Sequence, residues 1–263
     1  MSSYFKKNLH NTIVEILLTK FLPYRGLTLI DNANIDNSII EEMQGVEASQ
    51  AAQTSQTEAL SKSKKIGDFN DMIVNNIKNA GFIQIDAMRT VPRGERNLVV
   101  FLILSDDDEK KKKNKNIKKI IDNYALDKDN NLDEFIIITE KSEFLKSAFI
   151  KLMTELKMNE IGKDFKGEKA IYNAYPYHNF LVDIPNHISV PRHRIMEDRE
   201  IQDNLFSEYI KANDIYTIYE FDPPIVWLGG RDGQIVEVIR LSSSSLEAPV
   251  YRLIKAELYK PER

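Results

Sequence analysis

The sequence predicts an α/β N-terminal domain followed by a small α+β C-terminal domain. The chain has 263 residues, of which 42% are hydrophobic, enough for two separate cores. Runs of β-branched and aromatic residues at 98–104 and 135–139 predict strands covered on both faces. Two later strands, at 234–241 and 249–257, are joined by a polar link and predict a hairpin. We therefore predict domains at 1–168 and 169–263.

Helical spacing defines the other N-terminal elements. Apolar residues three or four apart predict a helix over 8–22, and the Tyr24-Arg25-Gly26 turn ends it. A short helix at 69–78 leads to a strand at 82–88, and Ser142 is the predicted N-cap of a helix that reaches residue 156. The stretch 162–168 is the predicted connection to the second domain.

Two polar segments interrupt this domain. Residues 41–65 are rich in Ser, Gln, Ala and Thr and hold almost no large apolar side chain, so we predict a mobile low-complexity insertion. Residues 105–119 join an acidic block to a lysine-rich block. A lysine run can contact phosphates, which leaves a free-standing DNA-binding module as an alternative, but the adjacent acids favour a solvated loop or helix face.

The C-terminal domain begins with a predicted strand at 179–184, followed by an amphipathic helix over 197–211. The intervening segment reads HISVPRH, residues 187–193. Later, residues 222–240 read DPPIVWLGGRDGQIVEVIR. A phosphate-binding loop needs its glycines between a strand and a helix start, whereas here they follow a predicted helix, so we interpret Gly229 and Gly230 as a helix cap and Gly233 as a turn into the next strand.

Composition excludes several kinds of site. The formal net charge of −4 gives no global basic field for nucleic acid or membranes, and the absence of cysteine excludes disulfides and thiolate zinc sites. The spacing of His187 and His193 matches no common zinc pattern, and no G-x-S-x-G elbow presents a serine. We expect no catalytic residue, no metal, no cofactor, no small-molecule substrate and no membrane partner.

One catalytic alternative remains open. Residues 155–157 have the Glu-x-Lys form that metal-dependent nucleases use, and Asp133 lies upstream. Because Leu156 belongs to the buried stripe of the predicted helix, its charged neighbours are expected to face water. We therefore favour a structural role for Glu155 but keep a metal-dependent nuclease as an alternative.

The C-terminal motifs together resemble the assembly domain of subunit five of eukaryotic RNA polymerases and of its shorter archaeal counterpart. The segments are HISVPRH, then DPPIVWLGGRDGQIVEVIR, then APVYRL from Ala248, in the order and spacing of that family. Arginine stands at position 192 where the family usually has lysine, and the link 242–248 departs from the family's Ser-Glu-Thr-rich stretch. The matching positions are His187, Val190, Pro191, Arg192, His193, Asp222, Pro223, Gly229, Gly233, Ile239, Arg240, Tyr251 and Arg252.

The resemblance implies a noncatalytic subunit of DNA-dependent RNA polymerase. Its C-terminal domain would dock on the largest subunit, with Pro223, Trp227 and Tyr251 as apolar anchors or, alternatively, as ordinary core residues. Arg192 and Arg240 would pair with acids of a partner or of this chain. Its N-terminal domain would be a jaw along downstream duplex DNA, with a nuclease-like fold that lacks the active site. Asn- and Ile-rich composition indicates a divergent member from a large DNA virus, located in the virion and host cytoplasm; a cellular member would be nuclear.

Overall fold

The computed structural model describes residues 3–30, 68–73, 75, 79–90, 96–105, 117–126, 132–158, 170–205, 215–242 and 246–256. The chain divides into two compact units, Met1–Leu181 and Val182–Leu258. The predicted insertion at 41–65 lies outside the described residues, as does most of the charged run at 105–119. Within the described part, no helix is long and apolar enough to cross a membrane.

The first unit opens with the predicted helix, which is confirmed. Helix α1, Ser3–Ile16, continues through a π-helical turn at Leu17–Phe21 and a last helical turn at Leu22–Tyr24. Gly26 then adopts φ 63°, a left-handed conformation that glycine enters without steric cost, and the chain turns into a strand. The fully buried residues of the helix include Ile13, Leu17 and Phe21.

A mixed sheet forms the centre of the first unit. Its strands are β1 (Leu27–Leu29), β2 (Phe82–Thr90), β3 (Arg96–Leu104), β4 (Leu132–Thr139) and β5 (Ile171–Pro176), in that spatial order. The pairs β1–β2 and β2–β3 are antiparallel, and β3–β4 and β4–β5 are parallel. Helix α2, Ile117–Leu126, connects β3 to β4, and α3, Ser147–Met158, lies between β4 and β5. These crossovers make the unit α/β.

Helices cover both faces of the central strands, as the continuous apolar runs predict. On one face, side chains of α2 and α3 such as Ile121 and Met153 pack with Val100 and Phe135 of the sheet. On the other face, the ring of Phe21 at the end of the first helix meets that of Phe101 edge-on, with centroids 5.9 Å apart. Every residue of β4 is buried for this reason.

The prediction that a helix starts at Ser142 was wrong for the first turn. Lys141–Leu145 is a 3₁₀ helix, and α3 begins only at Ser147. Lys146 separates the two because its backbone is extended, with φ −81° and ψ 122°. Ser142 is not an N-cap: it lies inside the 3₁₀ helix, and its hydroxyl donates to a carboxylate oxygen of Glu140 at 2.9 Å.

The strand predicted at 179–184 was also wrong. The strand of this region is β5, and Tyr177–Phe180 after it forms a 3₁₀ helix. Edge strand β5 was missed because its sequence, IYNAYP, ends in proline and contains asparagine, both depleted in strands. Since β5 pairs with β4, the first compact unit extends to Leu181, past the division predicted after residue 168.

The described residues of the second unit form a four-stranded sheet and short helical segments. Its strands β6 (Arg192–Ile195), β7 (Thr217–Tyr219), β8 (Ile235–Ser242) and β9 (Leu246–Lys255) have the order β6–β8–β9–β7. The pair β8–β9 is the predicted antiparallel hairpin, whereas β7 runs parallel to β9. Helix α4 is Pro223–Leu228. The helix predicted over 197–211 is helical at Asp198–Glu200 and Ile201–Leu205, and its remainder lies outside the described residues.

A buried ion pair joins the first helix to the sheet. Arg25 donates through Nη2 to Oε2 of Glu134 at 2.8 Å and through Nη1 to Oε1 at 3.5 Å, and each side chain is 4% exposed. Burial alone lowers the pKa of Arg25, but the charge and hydrogen bond of Glu134 raise the pKa above its ordinary value. Arg89 lies 3.7 Å from the same carboxylate and also pairs with Asp133. The pair therefore fixes the chain after the helix to the start of β4.

Replacing either partner of this pair is expected to destabilise the first unit. Glu134→Leu leaves the buried charge of Arg25 without this carboxylate and should lower the free energy of unfolding by about 3–5 kcal/mol. Arg25→Met should cost less, because Arg89 remains 3.7 Å from Glu134. The double variant should be less destabilised than the sum of the two, because it removes both charges. Urea unfolding of the complete chain measures these values. Arg199→Met, which removes an exposed ion pair with Asp203, is the control; strictly additive losses at 25 and 134 would contradict the coupling.

Candidate functional site

The glycine-rich stretch forms a helix cap. Asp222 is the N-cap of α4, and prolines occupy the first helical positions, where a missing N–H costs nothing. At the other end, Gly229 has φ 68° and donates its N–H to the carbonyl of Val226 at 3.2 Å, and Gly230 donates to that of Ile225 at 3.0 Å. These two bonds are the Schellman pattern. Because both amides are bonded to helix carbonyls, they are not available to hold an anion.

Gly230 and Gly233 allow α4 to lie close to β9. A Cβ at Gly230 would lie 2.6 Å from Cδ1 of Ile254 and 2.7 Å from Cγ2 of Ile225, closer than carbon atoms approach without displacement. Gly233 has φ 85° and donates its N–H to the carbonyl of Ile254 at 3.0 Å. The predicted interpretation of this stretch as a structural turn is confirmed, and the contact at Gly230 determines how closely helix and strand pack.

The motif HISVPRH forms a turn that leads into β6. The amide of Val190 donates to the carbonyl of His187 at 2.9 Å, and the amide of Ser189 donates to Nδ1 of the same histidine at 3.2 Å. His193, within β6, has its own Nδ1 at 2.6 Å from the carbonyl of Pro191. Because a carbonyl can only accept, the proton of the neutral imidazole lies on Nδ1. The two histidines therefore act as turn and strand elements of the second unit.

The sheet register separates the predicted interface residues onto two faces. His193 lies opposite Val238, and Arg252 lies opposite Val236, on the face that α4 covers in part. Arg240 is two residues beyond Val238 on β8 and therefore shares that face. Arg192 lies opposite Ile239 and Tyr251 opposite Glu237, on the other face.

Charged groups near the start of α4 affect one another. Partial burial raises the pKa of Asp222, while the charges of His193 and Arg252 oppose that rise. Partial burial lowers the pKa of His193, the hydrogen bond to Pro191 and the charge of Asp222 raise it, and the charge of Arg240 lowers it. These four ionisable groups thus lie close together on the α4 side of the sheet.

The three predicted apolar anchors have different environments. Trp227 is fully buried, as are Ile225 and Val226 beside it in α4. Pro223 is half-buried at the start of α4. Tyr251 is half-buried and packs against the apolar cluster formed by Met196, Ile201, Ile215 and Ile235. Of the three, only Pro223 and Tyr251 leave part of their surface open to another molecule.

Two exposed side chains were missed by the sequence reasoning. Tyr216, just before β7, is 75% exposed, and the guanidinium of Arg252 lies 5.6 Å from the centroid of its ring. Ile188, within the turn of the HISVPRH motif, is 98% exposed. The β-branched and aromatic residues of IYTIYE, residues 215–220, were the available signal for β7, but three residues are too few to establish a strand.

The carboxylates that suggested a nuclease are paired with cations. Asp133 is held by Arg89 at the start of β4, and Glu155 lies on α3, 3.5 Å from Nζ of Lys118. In the part of the chain that the structure describes, no three His, Cys, Asp or Glu side chains form a group that could hold a metal ion. The Glu-x-Lys triplet thus lies on a helix and not on a sheet edge.

Comparison with known proteins identifies the family. Residues 182–254 match the model of "RNA polymerase Rpb5, C-terminal domain". A protein of African swine fever virus named "DNA-directed RNA polymerase RPB5 homolog" is 30% identical over 184 residues, which cover 70% of this chain and 84% of the viral protein. The chain belongs to the Rpb5 family. Another isolate of the same virus has a relative of that name at 29% identity over the same length.

The archaeal relatives of this Rpb5-family chain match a shorter region. The "DNA-directed RNA polymerase subunit Rpo5" of Methanocaldococcus jannaschii is 37% identical over 71 residues, 27% of this chain and 91% of the archaeal protein. The match to the family model begins at Val182, where the second compact unit also begins. The resemblance inferred from the motifs is confirmed.

Enlarging Gly230 is expected to destabilise the second unit. Gly230→Ala overpacks the contact with Ile254 and Ile225 and should cost about 1–3 kcal/mol of unfolding free energy. Ile254→Val removes the Cδ1 atom that the new methyl group meets, so it should restore part of the loss when combined with Gly230→Ala. Denaturant unfolding of the four chains measures the coupling. If Ile254→Val adds its own penalty in full, the close contact does not determine the packing.

His193 should titrate below the ordinary histidine pKa of 6.5. Removing the charge of Arg240 with Arg240→Met should raise that pKa, and Asp222→Asn should lower it further. NMR titration of the imidazole signals in the complete chain, which has four histidines, measures both shifts. Because the unfolded chain binds a proton more readily, the stability that neutral His193 gives is present above pH 6.5 and is lost as the pH falls toward the folded-state pKa. An unshifted His193 signal would contradict the burial.

Proposed function

We propose that this chain is a noncatalytic subunit of a multi-subunit DNA-dependent RNA polymerase and that its C-terminal domain docks on the largest subunit. The observation that carries the proposal is the agreement between the family match at residues 182–254 and a compact unit with its own sheet and core. The viral and archaeal relatives are themselves named as polymerase subunits or their homologues. The reaction of the complex belongs to other chains.

Docking uses the exposed positions of the C-terminal motifs. Side chains at the interface are those of His187, Val190, Pro191, Arg192, His193, Asp222, Pro223, Arg240, Tyr251 and Arg252. Gly229 and Gly233 determine the backbone path, and buried Trp227 supports the surface from inside. An acidic chain with exposed arginines is suited to a protein interface, in which desolvated arginine and aromatic side chains contribute most of the binding energy.

The N-terminal domain is proposed to be a jaw beside downstream duplex DNA. Its parallel β3–β4–β5 region with crossover helices is compatible with a nuclease-like fold. Asp133 forms an ion pair with Arg89, and Glu134 forms one with Arg25. A metal-dependent nuclease needs carboxylates that are available to bind its metal ion, and these two are already occupied. The close viral relatives favour a virus as the source, and with it the virion and host cytoplasm over the nucleus.

Affinity capture tests the proposed function. The complete chain, tagged and expressed in its native source, should bring down the largest polymerase subunit and its partners, and mass spectrometry should identify them. The association should persist after nuclease treatment, because it depends on a protein interface. A capture in which polymerase subunits are no more abundant than with an unrelated tagged protein would contradict the proposal.

A further inference from the structure

The α4 side of the second sheet carries arginines that lack an ion-pair partner within the described structure. Arg240 is exposed, and among the described residues its charge acts on His193. Arg252 is half-buried near Asp222, but the two side chains form no ion pair. Two permanent cations therefore share this surface with one carboxylate.

The opposite face differs because the charge of Arg194 is already balanced by carboxylates of the same unit. Arg194 donates to Glu200 at 2.7 Å and to Glu237 at 2.9 Å, so both carboxylates are occupied within the unit. Of the predicted interface positions on this face, Tyr251 packs against the apolar cluster described above, and Arg192 is exposed. The unbalanced positive charge lies mainly on the α4 side.

Tyr216 prepares Arg252 to bind a carboxylate. The guanidinium lies 5.6 Å from the centroid of the tyrosine ring, a position in which the ring stabilises the cation. An aromatic ring restricts the orientation of a guanidinium while its N–H groups remain able to hold a carboxylate with two parallel bonds. The ring is 75% exposed and Arg252 is half-buried, so both residues keep surface that is open to solvent.

We propose that the surface formed by Tyr216, Arg252, Asp222, His193 and Arg240, here called the arginine face, binds an extended acidic segment of another polymerase subunit. This inference rests on the proposed function and specifies its interface. The acidic segment binds the arginine face and does not contact Arg192 on the opposite face, because one segment cannot contact both sides of a sheet.

The spacing of the two arginines defines the ligand. Arg240 pairs in register with Ala248, four residues from Arg252 on β9, which corresponds to about 13 Å at about 3.3 Å per residue. An extended peptide with carboxylates four residues apart spans the same distance and need not place a charge beside Asp222. A duplex presents phosphates continuously along its length, and Asp222, whose charge lies near Arg252, would repel those beside it. The geometry therefore favours an acidic peptide over nucleic acid.

The test compares charge reversal on the arginine face with charge reversal at a control position. Three variants of the complete chain are captured from the native source after nuclease treatment: the pair Arg240→Glu and Arg252→Glu, the pair Arg240→Lys and Arg252→Lys, and the control Arg199→Glu, an exposed arginine outside the proposed interface. Quantitative mass spectrometry measures the polymerase subunits retained at increasing NaCl concentration. We expect the Glu pair to lose about tenfold or more of the bound subunits and the Lys pair to lose less, because lysine keeps the charge but not the two parallel bonds, with Arg199→Glu within about twofold of the unmodified chain.

Several results would overturn the proposal. If the Glu pair retains as much polymerase as the unmodified chain, the arginine face is not the interface, although the proposed function stands. If Arg199→Glu causes an equal loss, the effect does not depend on the arginine face. If the unmodified chain captures polymerase only before nuclease treatment, the surface binds nucleic acid. If the unmodified chain captures no polymerase subunit under either condition, the proposed function itself fails.

A second measurement covers the case in which the Glu pair does not fold. Circular dichroism melting of each purified chain identifies such a loss, and Arg240→Gln with Arg252→Gln then replaces the Glu pair, because glutamine removes the charge without adding an opposite one. Photo-crosslinking from p-benzoylphenylalanine at position 216 identifies the bound peptide independently. We expect a peptide with acidic residues four apart; a peptide without acidic residues would contradict the proposal.

Discussion

The close contact at Gly230 is the constraint on which the second unit depends. It allows α4 to lie directly against β9, and the Schellman bonds of Gly229 and Gly230 end the helix at that point. Because the helix is only six residues long, fixing its end also fixes its start. Asp222 is thereby held near His193 and Arg252. The glycines that suggested a phosphate loop instead determine where charged side chains lie on a different part of the surface.

In the first unit, a buried ion pair has the corresponding structural role. Arg25 follows a helix and Glu134 begins a central strand, and their buried pair joins two elements that are distant in sequence. A buried ion pair of this kind contributes little net stability but makes other arrangements costly, since each partner alone would be an unsatisfied charge. Carboxylates engaged in this way cannot also coordinate a metal ion without losing their arginine partners.

Local patterns in the sequence were sufficient for the elements that are long and strongly periodic. The helix over 8–22, strands β3 and β4, the β8–β9 hairpin and the cap of α4 all follow from spacing and from the positions of glycine and proline. Strand β5 and the short strands β6 and β7 could not be predicted in this way, because their stability comes from pairing with distant strands. Lys146 breaks the helix predicted from Ser142 although its residue type favours helix.

The motif residues of the candidate site could be found from the family pattern, but their division between two faces could not. That division depends on the register between β6, β8 and β9, which a linear motif does not specify. Trp227 shows the same limit, because a large aromatic residue in a motif can be an anchor for a partner or part of a core. Its complete burial leaves none of its surface open to a partner.

The position of β9 has a consequence for biosynthesis. This strand pairs with β8 on one side and with β7 on the other, so neither neighbour has a complete sheet until β9 is present. The first sheet contains only strands that the ribosome makes earlier, up to β5. A nascent chain can therefore form its first sheet while the second is still incomplete, and premature termination before β9 yields a protein whose second sheet lacks an inner strand.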